Sequence, residues 1–307
     1  MENEASPVSA VTATRAGFVA LLGRPNAGKS TLLNALVGEH LAAVSPKEQT
    51  TRHKIPGFLT TDDTQIVFVD TPGLLDPTYP LQEAMLATAM GSLEGVDLAY
   101  LLVDHDAPTP RERDVLRGLE ASGAPIFLVL TKADVTSSDA LDARASAWRD
   151  VAPWAATHRV SAVTKAGIDE LLEATREQLP AQPFFYPADD LTDLTLRFIA
   201  AELVRETCYD ELGAEVPYSV HVVVDEWKEP ASPGEKTVIQ ATVYVERESQ
   251  KAIVIGEGGR KLKSIGTRSR MAIEKLVDGP VYLALWVKVR KKWSRREGDL
   301  RWFGYVR

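Results

Sequence analysis

The chain has 307 residues, of which 45% are hydrophobic and 25% are charged, as is usual for a globular protein of one large or two smaller domains. Its single cysteine, Cys208, rules out an internal disulfide and a cysteine-based metal site, and fits a reducing compartment. The longest apolar runs are far shorter than the roughly 20 residues that a membrane-spanning helix needs. Residues 1–15 lack a cationic start and an apolar core, so we interpret them as a disordered leader and not as a signal peptide.

The net charge of −8 is distributed unevenly along the chain. From Lys251 to the C terminus, fifteen Lys and Arg residues stand against five Asp and Glu residues, so this part carries a charge of +10. The remainder carries −18. An acidic body with a basic end indicates a module that binds a polyanion, and the alternative is a solvated basic face that has no partner.

The first half of the chain alternates between apolar, β-rich runs and helix-like stretches. We predict strands at 17–22, 65–70, 97–103, 125–131 and 158–161, and helices at 29–37, 81–93, 111–121, 140–148 and 168–178. Runs such as IVFVD and LAYLLVD are apolar on both faces, as in a parallel sheet that helices cover on each side. The pattern therefore predicts a doubly wound α/β domain, whose ligands bind at the carboxyl ends of the strands.

The segment GRPNAGKST follows the first predicted strand and precedes the first predicted helix, and it fits the P-loop pattern G-x-x-x-x-G-K-[ST]. The backbone N–H groups of such a loop surround phosphate oxygens at the positive end of the helix. Lys29 would reach the β- and γ-phosphates, and the Ser30 hydroxyl would bind Mg²⁺. The predicted phosphate site comprises Gly23, Arg24, Pro25, Asn26, Ala27, Gly28, Lys29, Ser30 and Thr31.

The segment DTPGL follows the strand QIVFV. A carboxylate at this strand end can hold Mg²⁺ through water, which is the role predicted for Asp70. The backbone N–H of Gly73 can sense a γ-phosphate. The predicted residues here are Asp70, Thr71, Pro72, Gly73 and Leu74.

The segment TKAD follows the strand PIFLVL, and SA follows the last predicted strand. The Asp134 carboxylate can accept hydrogen bonds from N1–H and the exocyclic amine of guanine, a donor pair that adenine lacks. It therefore argues against the rival class, a P-loop ATPase. Lys132 would lie along the base, and the backbone N–H near Ala162 would donate to guanine O6. The predicted base site comprises Thr131, Lys132, Ala133, Asp134, Ser161 and Ala162.

In their order, GRPNAGKS, QTTRH, DTPGL, TKAD and SA resemble the translation-factor-like P-loop GTPases, and PKEQTTRHKIPGF with DTPGL resembles the Era group of bacterial GTPases. The resemblance covers the chain from about residue 16. It implies that Thr51, or its neighbour Thr50, is the switch residue that binds Mg²⁺ with Ser30 and Asp70. It also implies that Asn26 holds a potassium ion against the phosphates.

Two positions depart from the pattern. Thr131 replaces an asparagine that usually ties the base-binding loop to the P-loop, so we expect weaker nucleotide binding with guanine selectivity kept. Leu74 stands where many GTPases carry a glutamine that orients the attacking water. We therefore expect slow GTP hydrolysis unless an activator assists.

Pro180, Pro183 and Pro187 indicate a semi-rigid linker at 181–191, between a GTPase domain at 16–180 and a second domain at 192–307. The second domain shows the order α-β-β-α-α-β, and Gly256 to Gly259 form a G-x-x-G segment between the paired helices. This order resembles a smaller, α+β type II KH domain, whose groove holds about four single-stranded nucleotides. The predicted RNA-binding residues are Gly256, Glu257, Gly258, Gly259, Arg260, Lys261 and Lys263, with a basic C-terminal tail beyond them.

Together these features predict a GTPase that uses Mg²⁺ and GTP or GDP to control RNA binding. By resemblance, the RNA is the 3′ end of 16S rRNA during 30S subunit maturation, with no DNA partner. The resemblance also implies a cytoplasmic location, with loose association at the inner membrane face, and we favour a monomer. The rival interpretation is a structural RNA-binding protein with a relic nucleotide site, against which Lys29, Ser30 and Asp70 argue. We expect GTP to move the two domains relative to each other and expose the G-x-x-G groove, because an acidic domain folded against the basic surface would compete with RNA phosphates for it.

Overall fold

The structure is a computed structural model that describes residues 14–232 and 234–306. Most of the predicted leader, residues 1–13, lies outside the described residues. Arg15, the last residue of that leader, is already the first residue of a strand.

The first domain consists of a six-stranded sheet with helices on both faces. Its elements are β1 (Arg15–Gly23), α1 (Lys29–Val37), β2 (Ile55–Thr60), β3 (Thr64–Asp70), α2 (Pro80–Gly91), β4 (Leu98–Val103), α3 (Pro110–Ser122), β5 (Ile126–Leu130), α4 (Ser138–Trp148), β6 (Ala156–Arg159) and α5 (Ile168–Gln178). The strand order is β2-β3-β1-β4-β5-β6, with β2 antiparallel to β3 and the remaining neighbours parallel. The predicted doubly wound α/β domain is confirmed.

Local sequence signals account for most element boundaries. Helix α3 begins at Pro110. Thr109, directly before it, forms a reciprocal capping box with Glu112 in the first turn. Helices α1 and α5 have the predicted bounds. Strand β6 ends at Arg159, two residues earlier than predicted, because the N–H of Ser161 bonds the carbonyl of Ala166 in the following turn.

Strand β2 was not predicted, because Pro56 and Gly57 lie inside it and both residues disfavour strands. Within the described sheet β2 is an edge strand, where the missing proline N–H costs little. Its outer edge bonds the end of the linker region: Phe58 N–H donates to the carbonyl of Leu191 (2.8 Å), and the Thr192 hydroxyl donates to the carbonyl of Pro56 (2.6 Å). The predicted linker therefore packs along the first domain.

The second domain consists of a three-stranded sheet and the helices that pack against it. Its elements are α6 (Leu196–Glu211), β7 (His221–Lys228), β8 (Thr237–Val245), α7 (Glu248–Ile255), α8 (Arg260–Leu276), β9 (Val281–Val289) and α9 (Glu297–Trp302), with short 3-10 helices at Pro217–Ser219, Glu257–Gly259 and Trp293–Arg295. Strand β8 pairs antiparallel with β7 and parallel with β9. The predicted order α-β-β-α-α-β is confirmed.

The two domains share a buried junction. Leu81 and Met85 of α2 pack in one apolar cluster with Trp293, Phe303 and Tyr305 from the C-terminal end of the chain. A second contact joins His40 after α1 to Glu206 of α6 (2.8 Å), where the carboxylate raises the pKa of the imidazole. Across the described residues, none of the helices combines the length and apolarity needed to span a membrane.

Candidate functional site

A cavity of about 420 Å³ lies at the carboxyl ends of β1 and β3, where the topology predicts a ligand site. The P-loop, the segment before β2 and the loop after β3 form its walls. The lining residues are Pro25, Asn26, Gly28, Lys29, Ser30, Thr31, Ala43, Val44, Ser45, Pro46, Gln49, Thr50, Thr51, Gly73 and Lys132. The structure therefore brings together predicted residues from four separate segments.

Lys29 is buried at the base of this cavity. Its ammonium group donates to the backbone carbonyls of Gly23 (3.0 Å) and Arg24 (2.8 Å), both uncharged partners. Burial lowers the pKa of Lys29 to about 8. Among the residues that the structure describes, the ammonium group makes no direct hydrogen bond to an anionic group, and a nucleotide phosphate would supply one. The site therefore favours a phosphate ligand.

Two glycines allow the backbone to form the phosphate site. Gly28 precedes α1 at φ +94°, a conformation that side chains disfavour. At Gly73, an added Cβ would lie 2.7 Å from the backbone nitrogen of Pro25. The loop after β3 therefore lies directly against the P-loop, so both loops border the cavity in which a γ-phosphate would bind.

Three oxygen atoms converge where Mg²⁺ is expected. The Ser30 hydroxyl donates to Asp70 Oδ2 (2.6 Å), and the Thr51 hydroxyl lies 2.7 Å from Ser30 Oγ and 3.1 Å from Asp70 Oδ2. Asp70 is fully buried, its Oδ1 has no hydrogen-bond partner among the described residues, and burial raises its pKa. Two hydroxyl groups beside a buried carboxylate are hard oxygen ligands of the kind that suit Mg²⁺. Thr50 turns away and donates to the carbonyl of Lys47 (2.8 Å), so geometry favours Thr51 for this role.

The predicted base site is a second cavity of about 250 Å³ beside α1, which Asp134 and Ala162 both line. The Thr131 hydroxyl donates to the carbonyl of Ala27 in the P-loop (2.9 Å). Thr131 thus links the base-binding loop to the P-loop, the role that we expected to need the amide of an asparagine. Elsewhere in this loop, Ala133 N–H bonds Val160, and the Ser161 hydroxyl accepts from the N–H of Thr164 (3.1 Å).

Sequence reasoning missed Asp104, which follows β4. Its carboxylate pairs with the ammonium group of Lys132 at 2.6 Å, the side chain that is predicted to lie along the base. The available signal was its position directly after the buried strand LAYLLV, the same position that marked the other site residues.

Leu74 and Asn26 bear on hydrolysis. The Leu74 side chain is buried in the core, and its N–H bonds the carbonyl of Gly23, so this residue cannot orient water. Asn26 has a left-handed backbone (φ 63°) and donates through Nδ2 to the carbonyl of Pro46 (3.0 Å). Its Oδ1 is the atom that a cation would bind.

A groove of about 390 Å³ runs along α8 beside β9 in the second domain. Leu262, Leu283 and Leu285 form an apolar floor, and Lys263 and Arg270 supply positive charge. The groove is lined by Gly259, Leu262, Lys263, Gly266, Thr267, Arg270, Leu283 and Leu285. An apolar floor with cations at its rim suits single-stranded nucleic acid.

The glycine segment opens the end of this groove. Gly256, Gly258 and Gly259 all have positive φ (70°, 59° and 78°). A Cβ added at Gly258 or Gly259 would meet no atom within 4 Å, so the space above the loop is open to a nucleic-acid backbone. Glu257 pairs with Arg260 in an exposed ion pair, which stabilises the loop little.

The basic residues of α8 divide between two faces. Lys263 lines the groove, whereas Lys261 donates to the backbone carbonyl of Glu211 in α6 (3.0 Å). Arg270 was missed, although it lies seven residues after Lys263 and therefore on the same helical face. Arg268 also pairs with Glu211 (3.0 Å). Arg270, which lines the groove, pairs with Glu274 of the same helix (2.6 Å). Contrary to our expectation, the acidic partners of these cations therefore come from the second domain itself and not from the first domain.

The fold and the two sites define a class of protein: a P-loop GTPase joined to a C-terminal KH domain. Residues 18–132 match the family described as 50S ribosome-binding GTPase, and residues 215–294 match the KH domain family. The GTPase Era of Geobacter metallireducens is 43% identical to this chain, over 95% of it and 98% of its own length. That of Carboxydothermus hydrogenoformans is 42% identical over the same shares. The chain belongs to the Era family and is a GTPase.

Two solved structures match nearly the whole chain. Era in complex with MgGDPNP and nucleotides 1506–1542 of 16S ribosomal RNA has a TM-score of 0.88 and 35% identity, and covers 96% of this chain and 100% of its own. A variant of Era from Aquifex aeolicus bound to GDP·AlF4⁻ has a TM-score of 0.90 and 36% identity over the same shares.

Proposed function

We propose that this protein is a GTP-controlled switch that binds the 3′ end of 16S rRNA during assembly of the 30S subunit. The observation that carries the proposal is the open groove of about 390 Å³ beside the G-x-x-G segment, on a chain that also has a P-loop cavity lined by Lys29, Ser30 and Thr51. The solved Era complex with Mg²⁺, a GTP analogue and a 16S rRNA fragment supports it, because that protein is similar along 96% of this chain.

In the GTPase site, the P-loop backbone and Lys29 bind the β- and γ-phosphates, and Asp134 selects guanine. Ser30, Thr51 and Asp70 hold Mg²⁺, which supplies charge neutralisation between the phosphates when bound. Gly73 contacts the γ-phosphate through its N–H. Hydrolysis is slow without an activator, because the residue after Gly73 is a buried leucine.

A potassium ion at Asn26 is part of the proposal. The bond from Asn26 to Pro46 joins the P-loop to the segment before β2, so a cation at Oδ1 would lie where both segments meet the phosphates. A positive charge there would stabilise the developing transition state in place of an arginine.

We further propose domains at 16–180 and 192–307, joined by 181–191, in a monomeric protein of the cytoplasm. Peripheral association with the inner membrane face would use the basic C-terminal residues, and flotation with anionic vesicles tests it.

The experiment measures the affinity of the full chain for a fragment of the 16S rRNA 3′ end, with GDP and with a non-hydrolysable GTP analogue. All binding is measured at one salt concentration, because phosphate contacts make affinity steeply salt-dependent. We expect tighter binding with the GTP analogue, and, by linkage, tighter GTP binding with RNA, by roughly 5–150-fold. Equal affinity in the two nucleotide states would mean that the domains are merely tethered.

Variants then locate the RNA. The double variant Gly258→Asp, Gly259→Asp places two negative charges at the open loop and should abolish binding. Lys263→Ala should weaken RNA binding and reduce by about 1 the slope of log affinity against log salt concentration. Lys261→Ala is the matched control in the same helix, since its ammonium group bonds α6, and it should change affinity less. Unchanged affinity in the double variant would exclude the groove as the RNA site.

A further inference from the structure

Arg52 follows the switch residue Thr51 directly and inserts into the KH domain. Its side chain is 1% exposed. Nη1 donates to the carbonyl of Val220 (2.8 Å), and Nη2 donates to the carbonyl of Tyr218 (2.8 Å) and to the hydroxyl of Tyr209 (2.8 Å). All three acceptors belong to the second domain.

The Tyr209 hydroxyl also binds the other side of the switch. It donates to the backbone carbonyl of Gln49 (3.1 Å) while it accepts from Arg52. One hydroxyl group of α6 therefore contacts the residues on both sides of the Thr50–Thr51 pair. Lys47, slightly earlier, donates to the carbonyl of Leu212 (2.6 Å) and adds a further bond from the same segment to the end of α6.

These bonds restrict where Thr51 can lie. A buried guanidinium group is stable only while its hydrogen-bond acceptors are in place, so Arg52 cannot shift within the interface without losing several bonds together. Neighbouring Cα atoms are about 3.8 Å apart, so Arg52 fixes Thr51 closely. The Thr51 hydroxyl lies 2.7 Å from Ser30 and 3.1 Å from Asp70, at the expected Mg²⁺ position.

We propose that Arg52 and Tyr209 are positioning residues for the GTPase site, through which the KH domain holds Thr51 at Mg²⁺ and the γ-phosphate. The proposal deepens the proposed function and rests on its GTP switch. The coupling between the GTPase site and the KH domain acts in both directions, because a γ-phosphate that holds Thr51 also aligns Arg52 with its acceptors on the KH domain. GDP offers Thr51 no γ-phosphate, so its binding depends little on this contact.

Tyr209→Phe tests the proposal, because it removes the bridging hydroxyl and keeps the buried ring. The measurement is the affinity for Mg²⁺·GDP and for a non-hydrolysable Mg²⁺·GTP analogue, without RNA. We expect affinity for the GTP analogue to fall about 3- to 10-fold, as for one or two lost hydrogen bonds, and affinity for GDP to stay within about twofold. Equal weakening of both nucleotides would overturn the proposal, since a structural role predicts that result.

Tyr100→Phe is the matched control. Tyr100 is fully buried in β4, and its hydroxyl bonds Thr175 within the first domain. This variant also loses a buried hydroxyl contact, but it leaves the switch segment unaltered. It should lower thermal stability without changing the ratio of the two nucleotide affinities. A change in that ratio equal to that of Tyr209→Phe would overturn the proposal.

A double-mutant cycle tests whether Arg52 acts through Thr51. In the wild-type background, Arg52→Gln should lower the affinity for the GTP analogue and not that for GDP. In the Thr51→Ala background, Arg52→Gln should have almost no further effect on either affinity. If Arg52→Gln fails to fold, Arg52→Lys replaces it in the test. Arg52→Lys keeps the charge but loses the forked guanidinium donors, so it should lower the affinity for the GTP analogue in part. Additive effects would refute the positioning role. Because no RNA is present, failure here leaves the RNA proposal intact, whereas absent GTP binding in the wild type would refute the proposed function itself.

Discussion

The hydroxyl of Thr131 donates a 2.9 Å hydrogen bond to the backbone carbonyl of Ala27, and so joins the base-binding loop to the P-loop. The two residues are 104 positions apart. The sequence suggested that threonine lacks the reach for this tie, yet the loop lies close enough for a hydroxyl group.

Thr131→Val should therefore weaken GDP and GTP binding, because it keeps the shape of the side chain and leaves a buried carbonyl without its partner. We expect a loss of about 1 kcal/mol or more, roughly fivefold in Kd. Thr131→Ser retains the hydroxyl and should bind within about twofold of the wild type. Titration of a fluorescent GDP analogue gives both values, and equal affinity of the Val and Ser variants would show that the bond is unimportant.

Asp134→Asn should weaken GTP binding and shift preference toward xanthine nucleotides, because an amide donates where a carboxylate only accepts. Hydrogen bonds to a charged group contribute about 1.5–3 kcal/mol, so we expect at least a tenfold loss of GTP affinity. The measurement is competition between GTP and xanthosine triphosphate.

Asp104→Asn is the control for that variant, since it alters the carboxylate beside Lys132 and not the one that is predicted to bind the base. It should weaken both nucleotides without a shift toward xanthine. If Asp134→Asn binds GTP as well as the wild type, Asp134 does not recognise the base.

Nucleotide affinity should fall as pH rises through the pKa of Lys29. Burial lowers that pKa to about 8 in the free protein, and bound phosphates raise it because they stabilise the charged form. Affinity for GDP is thus constant below about pH 8 and decreases by up to about tenfold per pH unit above it. Calorimetry across this range gives the profile. Lys29→Met should bind GDP weakly, with an affinity that does not change with pH. A pH-independent affinity in the wild type would contradict the role of Lys29 in phosphate binding.

GTP turnover should be faster in potassium than in sodium, because Leu74 leaves the site without a water-orienting side chain. Asn26→Ala should remove the difference between the two salts. Phosphate release at equal ionic strength measures it, with Mg²⁺ in excess. Equal wild-type rates in both salts would exclude the potassium site.

The GTPase and KH folds were predictable because their signals are local. A buried parallel strand is apolar along its whole length, and a phosphate-binding turn needs glycines, a lysine and a hydroxyl in consecutive positions. Gly28, Lys29, Ser30, Asp70 and Asp134 could therefore be named from the sequence. The pairing of Asp104 with Lys132 could not, because it joins two loops that meet only at the edge of the folded sheet.

Only the tertiary structure shows what Arg52 contacts. In the sequence it is one cation in a polar loop, and cations are usually exposed. In the fold it is buried and bonds Tyr209, 157 residues later in the chain. Local patterns determine the strands, helices and phosphate loop, because their interactions lie within a few residues. The contact between the switch and the KH domain depends on how two separately predictable domains pack, which no local pattern encodes.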